Sequence, residues 1–395
     1  MNAVVIADDL SGAAELAAAA ANLGCSAEVQ TSFNPSSKAE VVAIDADTRG
    51  ISGSEAAEVI AMLTRDVLRA EPRWIYKKTD SVLRGNVRAE IESMLHATGL
   101  PRALLVPANP SKGRIIRDGI YLVAGTPLAK TAFAIDPEHP RRTSSVLELL
   151  GETGNLPVRR VSADEDLPGE GIIAPDVTDP ADVKRHAARV DDRTLPAGGV
   201  EFFEALLAVK RKDQTAISAH VPKRLDGATL FVCGSAHAWD QGRGSACARY
   251  GMAVLSMPDD MRSGAVADDD AVAGWAERIA NAISASGRAL VAIGRAQAPD
   301  EKTAPPHCLA DLLAQAVAGI LRRGTNVTLC VEGGSTASAL LRAMGWTRLT
   351  AQPSPGLAGV AALRPEGIED TLLFVKPGSY PWPAQLWPEA TPEGV

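Results

Sequence analysis

Two adjacent acids, Asp8 and Asp9, follow the first apolar run of the chain, and Ser11 and Gly12 come shortly after them. The apolar run predicts a buried strand, and the Ser-Gly pair allows the chain to turn into a helix. Ligands of open α/β sheets bind beyond the carboxyl ends of the strands, so two acids here could bind sugar hydroxyls or accept a proton. The alternative is that one acid caps the helix, although a cap does not require two acids.

The densest group of ionisable residues is the sequence KKTDSVLRGN at residues 77–86. If the chain is extended, Lys78 and Asp80 point to the same side of the sheet, and Gly85 permits the turn that returns Arg84 toward them. A cation beside an anion suits a hydroxy acid, because the carboxylate needs a positive partner and the hydroxyls need acceptors. A charge pair at about 4 Å is worth on the order of 4 kcal/mol at an effective dielectric constant of roughly 20, enough to orient a small substrate. The alternative is a set of surface ion pairs.

Two more polar segments follow predicted strands. The sequence DADTR, which ends at Arg49, could place polar side chains at a strand end in the same way. The alternative is an ordinary polar turn. The loop at 107–114 contributes three side chains that could complete an anion site: Asn109, Lys112 and Arg114. A plain surface loop is the equal alternative.

The charge of the chain is unevenly distributed. The whole chain carries −8, but residues 73–117 contain nine basic and three acidic residues, a net +6, which leaves −14 for the rest. A cationic island in an acidic protein predicts a pocket for a small anion. The acidic excess argues against general nucleic-acid binding, which depends on Lys and Arg meeting phosphates.

The second half of the chain contains three glycine turns that follow predicted strands: Gly234-Ser235, Glu332-Gly-Gly-Ser-Thr336 and Lys376-Pro-Gly378-Ser379. The first two also precede predicted helices, whose free N–H groups and dipole attract phosphate. Three such turns indicate a nucleotide. The chain lacks the P-loop pattern, and GRGSAC at Gly242 lacks the third glycine of the dinucleotide fingerprint, which argues against a P-loop enzyme and an ordinary dehydrogenase.

Short apolar runs alternate with Ala-rich helical patterns, which predicts two α/β domains with mostly parallel sheets. The first half predicts strands at 4–7, 41–44, 74–77, 103–106 and 172–174, helices at 13–23, 52–68, 87–97 and 199–209, and a hairpin at 115–123. The second half predicts strands at 229–233, 289–293, 327–331 and 371–375, with helices at 238–249, 270–285, 309–322 and 336–344. A polar stretch at 210–227 places the boundary, giving domains 1–220 and 228–395 with the active site in the cleft between them.

Cysteine spacing and hydropathy narrow the class of protein. The five cysteines are scattered, and the six histidines show no metal-ligand spacing, so we expect a reduced, cytoplasmic protein without disulfides or a zinc site. The N-terminal residues favour a first strand over a signal peptide. No apolar run is long enough to cross a bilayer, and no membrane partner is expected.

Taken together, the motifs are familiar: IADDLSGAAE, DADTR, KKTDSVLRGN, PANPSKGR, YLVAGTPLAKTAFAIDPEHP and the GS and GGST turns. Over nearly the whole chain the sequence resembles the four-carbon acid sugar kinase family, which includes D-threonate, D-erythronate and 3-oxo-tetronate kinases. The resemblance implies an N-terminal domain that binds the acid sugar and a C-terminal domain that binds ATP. It also implies transfer of the γ-phosphate to the terminal C4 hydroxyl with Mg²⁺ as cofactor, and it leaves open a homodimer.

The resemblance assigns roles to individual residues. The acid-sugar motifs map onto Asp8, Asp9, Arg49, Lys77, Lys78, Asp80 and Arg84, to which the loop adds Asn109 and Lys112. The nucleotide motifs map onto Ser235, Gly333, Gly334, Ser335, Thr336 and Gly378. We expect Lys78, Arg84 and Arg49 to anchor the substrate. We expect Asp9 or Asp80 to orient and deprotonate the attacking hydroxyl.

The chain departs from the family pattern in two turns. Ser335 stands where the family usually has an acid before the Thr, and Glu332 is the residue that could take over that contact. The last turn reads Gly-Ser-Tyr-Pro instead of Gly-Asn-Phe-Gly. These departures motivate a second hypothesis, a non-catalytic sensor of an acid sugar or nucleotide. A dehydrogenase of hydroxy acids is a third, disfavoured by the missing fingerprint.

Overall fold

The chain forms two compact units, Met1–Ile217 and Ser218–Val395. The computed structural model describes residues 1–136, 139–151, 154–162, 164–210, 227–235, 238–239, 242–249, 251–264, 268–295, 303–357, 359–368, 370–378 and 382–387. Most of the stretch in which the sequence places the domain boundary, residues 211–226, lies outside the described residues.

The first unit is built on a parallel sheet with helices. Its strands are β1 Ala3–Ala7, β2 Ala27–Gln30, β3 Val41–Asp45, β4 Trp74–Lys78, β5 Arg102–Val106, β6 Arg114–Arg117, β7 Ile120–Val123, β8 Thr126–Pro127, β9 Val158–Val161, β10 Gly171–Pro175 and β11 Thr194–Gly198. Its α-helices are α1 Leu10–Asn22, α2 Gly53–Arg69, α3 Val87–Thr98, α4 Val146–Leu150, α5 Pro180–Ala188 and α6 Val200–Lys210. Eight strands pair in parallel in the order β2-β3-β1-β4-β11-β5-β10-β9.

Local sequence explains the start of this unit. All five residues of β1 are buried, as expected for a central strand covered on both faces. Asp9 then caps α1 by accepting a hydrogen bond from the backbone N–H of Gly12 at 2.9 Å. Ser52 and Glu55 form a capping box at the start of α2, where a helix is predicted. The carboxyl end of β1 is therefore followed at once by a helix N-terminus.

A hairpin follows the loop after β5. β6 and β7 pair antiparallel, and Asp118 and Gly119 connect them with φ of 52° and 74°. Two positive φ values in a two-residue loop are typical of the type I′ turn that suits a twisted hairpin. The predicted hairpin is confirmed, and β8 pairs with β7 to extend it.

The prediction that residues 172–174 form the last strand of the first half is wrong. β11 follows it and lies between β4 and β5. Its sequence, TLPAG, contains proline and glycine, which are poor strand formers, so the pattern gave no strand signal. β2 and β9 also escaped the sequence analysis.

The second unit contains a mixed sheet. Its strands are β12 Thr229–Cys233, β13 Ala253–Ser256, β14 Arg288–Ala292, β15 Thr328–Glu332, β16 Arg348–Gln352, β17 Ala361–Pro365 and β18 Leu373–Lys376. Its helices are α7 Arg243–Arg249, α8 Asp259–Ser263, α9 Asp269–Ser286, α10 Pro306–Arg322 and α11 Gly334–Met344. The order β13-β14-β12-β15-β18 is parallel, and β17 and β16 continue it antiparallel.

The two sheets confirm an α/β fold with mostly parallel strands. β13, β16 and β17 were not predicted, and two of these three are the antiparallel strands. Among the described residues, no helix combines the length and apolar character needed to cross a membrane.

Replacing Gly198 with alanine should destabilise the first unit. Gly198 has φ of 146°, and a Cβ there would lie 2.0 Å from the carbonyl oxygen of Val106. Because the atoms that the Cβ would meet belong to the backbone of Val106 and cannot rotate away, we expect the Gly198→Ala change to cost about 3 kcal/mol or more in the free energy of unfolding. Urea denaturation measures this.

Gly99→Ala is the matched control. Gly99 also has a positive φ, 71°, but an added Cβ would meet nothing within 4 Å. We expect it to cost about 1 kcal/mol. Equal losses in the two variants would contradict the close approach of β11 to β5.

Candidate functional site

Three carboxylates surround one guanidinium at the carboxyl ends of β1, β3 and β4. Arg49 contacts Asp8 through Nε at 2.7 Å, Asp9 through Nη1 at 2.8 Å and Asp80 through Nη2 at 3.9 Å. Gly85 lies against this group, since a Cβ there would be 3.2 Å from Arg49 Cγ and 3.3 Å from Asp8 Oδ2. The structure therefore brings together four of the predicted site residues, which the sequence places in three separate motifs.

Asp80 begins a turn that returns Arg84 to it, as predicted. Asp80 Oδ1 accepts from the backbone N–H groups of Val82 and Arg84, and Oδ2 accepts from Arg84 Nη2 at 2.8 Å. Gly85 has φ of 81° and Leu83 has φ of 61°, so the turn needs two left-handed residues. Because β4 ends at Lys78, Asp80 lies beyond the strand, and Lys78 faces Glu15 instead of pairing with Asp80.

The three carboxylates differ in how many of their oxygens are used. Both oxygens of Asp9 are engaged, by Gly12 on one side and by Ser11 and Arg49 on the other. Both oxygens of Asp80 are engaged as well. Asp8 Oδ1, in contrast, is buried and has no hydrogen-bond partner within the described part of the chain. A buried acceptor without a partner is costly, so this oxygen is the one best placed to accept from a ligand.

Burial and nearby cations set the protonation of the cluster. Burial alone would raise the pKa of Asp8 and of Asp80, but Arg49 with Lys77, and Arg84 with Arg49, lower these pKa values below the usual range. Burial would lower the pKa of Arg49, yet its three carboxylate neighbours raise it well above normal. Asp8, Asp80 and Arg49 are therefore charged at neutral pH.

Lys77 lies behind the cluster in a fully buried ion pair. Its ammonium contacts Glu90 at 2.6 Å and donates to the backbone carbonyls of Lys78 and Ile6. The other oxygen of Glu90 accepts from Thr48 Oγ1 at 2.7 Å. The backbone N–H groups of Thr48 and Arg49 in turn donate to the carbonyl of Asp8. The pair thus joins α3 to the turn that carries Arg49, and all three donors of Lys77 have protein partners.

Lys78 and Lys112 share one acid on α1. Glu15 lies 3.4 Å from Lys78 and 3.1 Å from Lys112. These two cations lower the pKa of Glu15 against the effect of burial. Asn109 lies beside them but accepts from the backbone N–H of Glu201, so it caps the first turn of α6. All three predicted loop residues therefore have protein partners, since Arg114 donates to Ser81 Oγ.

The segment after the hairpin packs on the Asp80 turn, which the sequence analysis did not predict. Asp136 contacts Arg84 at 3.0 Å, and Arg141 donates to the carbonyl of Leu83 at 2.8 Å. The ring of Phe133 lies 5.8 Å from the guanidinium of Arg84 and 5.6 Å from that of Arg114. The sequence signal for this contact is the run TAFAIDPEHP, which is part of a family motif. The motif does not indicate which residues Phe133 and Asp136 contact.

The three glycine turns of the second unit meet at the carboxyl ends of three neighbouring parallel strands, β12, β15 and β18. A Cβ on Gly234 would lie 1.8 Å from Thr336 Oγ1, and one on Gly378 would lie 2.5 Å from Ser235 Oγ. Gly333, with φ of 107°, precedes α11, and Ser335 is exposed in its first turn. The first N–H groups of a helix lack intrahelical partners and favour anions. Residues 379–381 of the last turn lie outside the described residues.

Glu332, the residue that could take over the contact of the acid missing at position 335, already contacts two cations. It is 1% exposed and its carboxylate contacts Lys376 Nζ at 2.5 Å and Arg243 Nη2 at 3.1 Å. Lys376 also lies 5.2 Å from the ring of Trp382. Glu332 is therefore part of a buried ion-pair network beneath the turns.

Among the described residues, neither unit contains a group of side chains that forms a complete metal site. Throughout the ranges that the structure describes, no three His, Cys, Asp or Glu side chains are grouped as metal ligands. Mg²⁺ commonly binds through one or two carboxylates together with substrate phosphates.

Comparison with known proteins gives matches along the whole chain. A family model described as a sugar-binding N-terminal domain matches residues 3–238. A D-threonate kinase from Cupriavidus necator is 31% identical over 98% of this chain and 97% of that protein. A D-threonate kinase from Salmonella typhimurium is 31% identical, and its match spans about half of each protein, 46% of this chain and 47% of the relative. Other matching relatives are named D-erythronate kinase and 3-oxo-tetronate kinase.

A solved structure confirms the fold. The structure, from Salmonella typhimurium LT2, superposes with a TM-score of 0.77 over 97% of this chain and 98% of its own length. The two sequences are 18% identical, so this likeness concerns the fold alone.

The Glu204→Gln change should remove one source of pH dependence from the stability of the chain. Burial, together with the carboxylates of Glu15 and Glu201, raises the pKa of Glu204 to about 7. The folded chain keeps this proton to about pH 7, while the unfolded chain loses it near pH 4.3, so stability falls as the pH rises between these values. The variant should be more stable than the wild type at about pH 8, by roughly 2 kcal/mol for a partly exposed group, and nearly equal at about pH 4.5.

Thermal unfolding at the two pH values measures the effect. Glu58→Gln, an exposed glutamate of α2, is the control and should show no such pH-dependent gain. A Glu204→Gln variant that gains nothing at the higher pH would contradict the raised pKa.

Proposed function

The chain belongs to the four-carbon acid sugar kinase family, and from this premise we propose that it transfers the γ-phosphate of ATP to the terminal hydroxyl of threonate, erythronate or a 3-oxo-tetronate. The observation that carries the proposal is Asp8 Oδ1, the buried carboxylate oxygen without a partner in the Arg49 cluster. An ionised acceptor held by an arginine is what a substrate hydroxyl needs for orientation.

The reaction is an in-line displacement. The oxygen of the terminal hydroxyl forms a bond to the γ-phosphorus, the bond from that phosphorus to the β,γ-bridging oxygen breaks, and ADP leaves. The hydroxyl proton passes to the carboxylate of Asp8. A carboxylate with a lowered pKa is a weak base, but phosphoryl transfer depends mainly on positioning and charge neutralisation.

Asp8 replaces the catalytic candidates that the sequence suggested. Asp9 caps α1, and Asp80 holds the turn of Arg84, so both of their carboxylates have protein partners. We therefore assign Asp9 and Asp80 to positioning the other groups of the site. Lys77 has the same role, because Glu90 and two backbone carbonyls accept from its ammonium group. Arg49, Arg84 and Lys78 remain the cations of the substrate site.

We assign the nucleotide to the second unit. Ser235, Thr336 and Gly378 meet at the carboxyl ends of adjacent strands, where the first turn of α11 presents free N–H groups to phosphate. When bound with the phosphates, Mg²⁺ supplies charge neutralisation. The division of labour between residues 1–220 and 228–395, and an active site in the cleft between the domains, stay predictions.

The function is tested by ADP release. The chain is incubated with ATP, Mg²⁺ and a panel of D- and L-threonate, D- and L-erythronate and 3-oxo-tetronates. ADP release that is stimulated by one of the acids supports the proposed kinase activity and identifies the substrate. No release with any acid, together with measurable binding of an acid, would favour the sensor, for which Ser335 in the altered turn is the motivation.

The role of Asp8 is tested with the acid that gives the fastest ADP release. Asp8→Asn should lower kcat by about 100-fold or more, because the amide cannot accept the proton. Affinity for ATP, measured by calorimetry, should be unchanged.

Asp9→Asn is the matched control, since the neighbouring residue receives the same substitution. Asparagine caps helices as well as aspartate, so we expect a loss of about tenfold or less. A rate that survives Asp8→Asn but collapses in Asp9→Asn would overturn the assignment.

A further inference from the structure

Arg141 is a cation beside the Asp80 turn that has no carboxylate of the described residues within ion-pair distance. Most of the cations in the predicted site motifs already contact acids: Arg49 contacts three, Arg84 contacts two, Lys77 contacts Glu90, and Lys78 and Lys112 share Glu15. Arg114 is 7% exposed and donates to Ser81 Oγ. Among the described residues, no carboxylate lies within ion-pair distance of Arg141. A ligand carboxylate binds best where a positive charge is not already neutralised.

The guanidinium of Arg141 is held in a fixed orientation. Nη1 donates to the carbonyl of Leu83 at 2.8 Å, and Nε donates to the carbonyl of His139 at 3.0 Å. Within the described part of the chain, these two bonds use two of its five N–H groups and leave Nη2 and one hydrogen of Nη1. Two N–H groups on one edge can bind a carboxylate in the bidentate manner.

Arg141 also lies at the strained part of the turn. Leu83, whose carbonyl it binds, has φ of 61°, an uncommon conformation for leucine. Leu83 lies between Asp80 and Arg84, so Arg141 contacts the turn that presents both. The charges of Asp80, Arg84 and Asp136 all act on it, and it is partly exposed.

From these contacts we infer that Arg141 binds the carboxylate of the acid sugar and selects acids over neutral sugars. The inference rests on the proposed function, since it names the group that recognises that substrate. Arg49 and Arg84 then border the site and hold the protein's own carboxylates in place, and the remaining N–H groups of Arg141 meet the carboxylate of the ligand.

The test is calorimetric titration without nucleotide. The ligands are D-threonate and D-erythronate and their neutral amides, and the variants are Arg141→Gln and Arg142→Gln. Arg142 is the exposed neighbour and serves as the matched control. Arg141→Gln should weaken binding of the acid by about ten- to a hundredfold and leave binding of the amide within about twofold.

Arg142→Gln should change neither affinity. Equal losses for acid and amide in Arg141→Gln would show a structural role, and unchanged acid affinity would show no role; either result overturns the inference. A measurement on the wild type stands even if Arg141→Gln does not fold: the acid should bind at least about tenfold more tightly than its amide. Equal affinity, or no binding of any acid, also overturns it.

This titration is independent of turnover. A chain that binds the acid through Arg141 but releases no ADP would contradict the proposed function and support the inference. A chain that releases ADP while Arg141→Gln binds the acid normally would do the reverse.

Discussion

The guanidinium of Arg49 lies among the carboxylates of Asp8, Asp9 and Asp80, and the candidate sugar site depends on that contact. Three buried or half-buried carboxylates at one edge of a sheet would repel one another and lose their solvation without a cation between them. With Arg49 in place, Asp8 and Asp80 stay ionised, and the oxygens of all three carboxylates take fixed positions. One of them, Asp8 Oδ1, is left for a ligand.

A second buried charge pair holds Arg49 where it is needed. Lys77 and Glu90 connect the ends of β1 and β4 to α3, and Glu90 also binds Thr48, the residue before Arg49. Buried pairs of this kind add little net stability, but breaking one is costly, because it leaves an uncompensated charge. The pair is therefore best understood as a device that positions the Arg49 turn.

Local spacing explains what the sequence could predict. The return of Arg84 to Asp80 needs only four residues and a glycine, and the helix cap of Asp9 needs only three, so both follow from the local pattern. The strand-end rule placed Asp8 and Arg49 at one edge of the sheet. It did not give their direct pairing, which joins residues 41 apart in the chain.

Contacts between distant segments explain what the sequence could not predict. Asp136 contacts Arg84, 52 residues earlier in the chain, and Arg141 contacts Leu83, 58 residues earlier. The hairpin lies between these segments in the chain, and hydrophobic periodicity does not predict contacts of this kind. The sequence does not predict β11, because Pro196 and Gly198 are poor strand formers. Gly198 is needed there because the backbone of β11 lies close to that of β5. A crystal structure of the chain with the acid that supports ADP release tests the role of Asp8 most directly. We predict that the terminal hydroxyl of the acid lies within hydrogen-bond distance of Asp8 Oδ1. An acid bound with that hydroxyl on Asp9 or Asp80, or bound away from the Arg49 cluster, would contradict it.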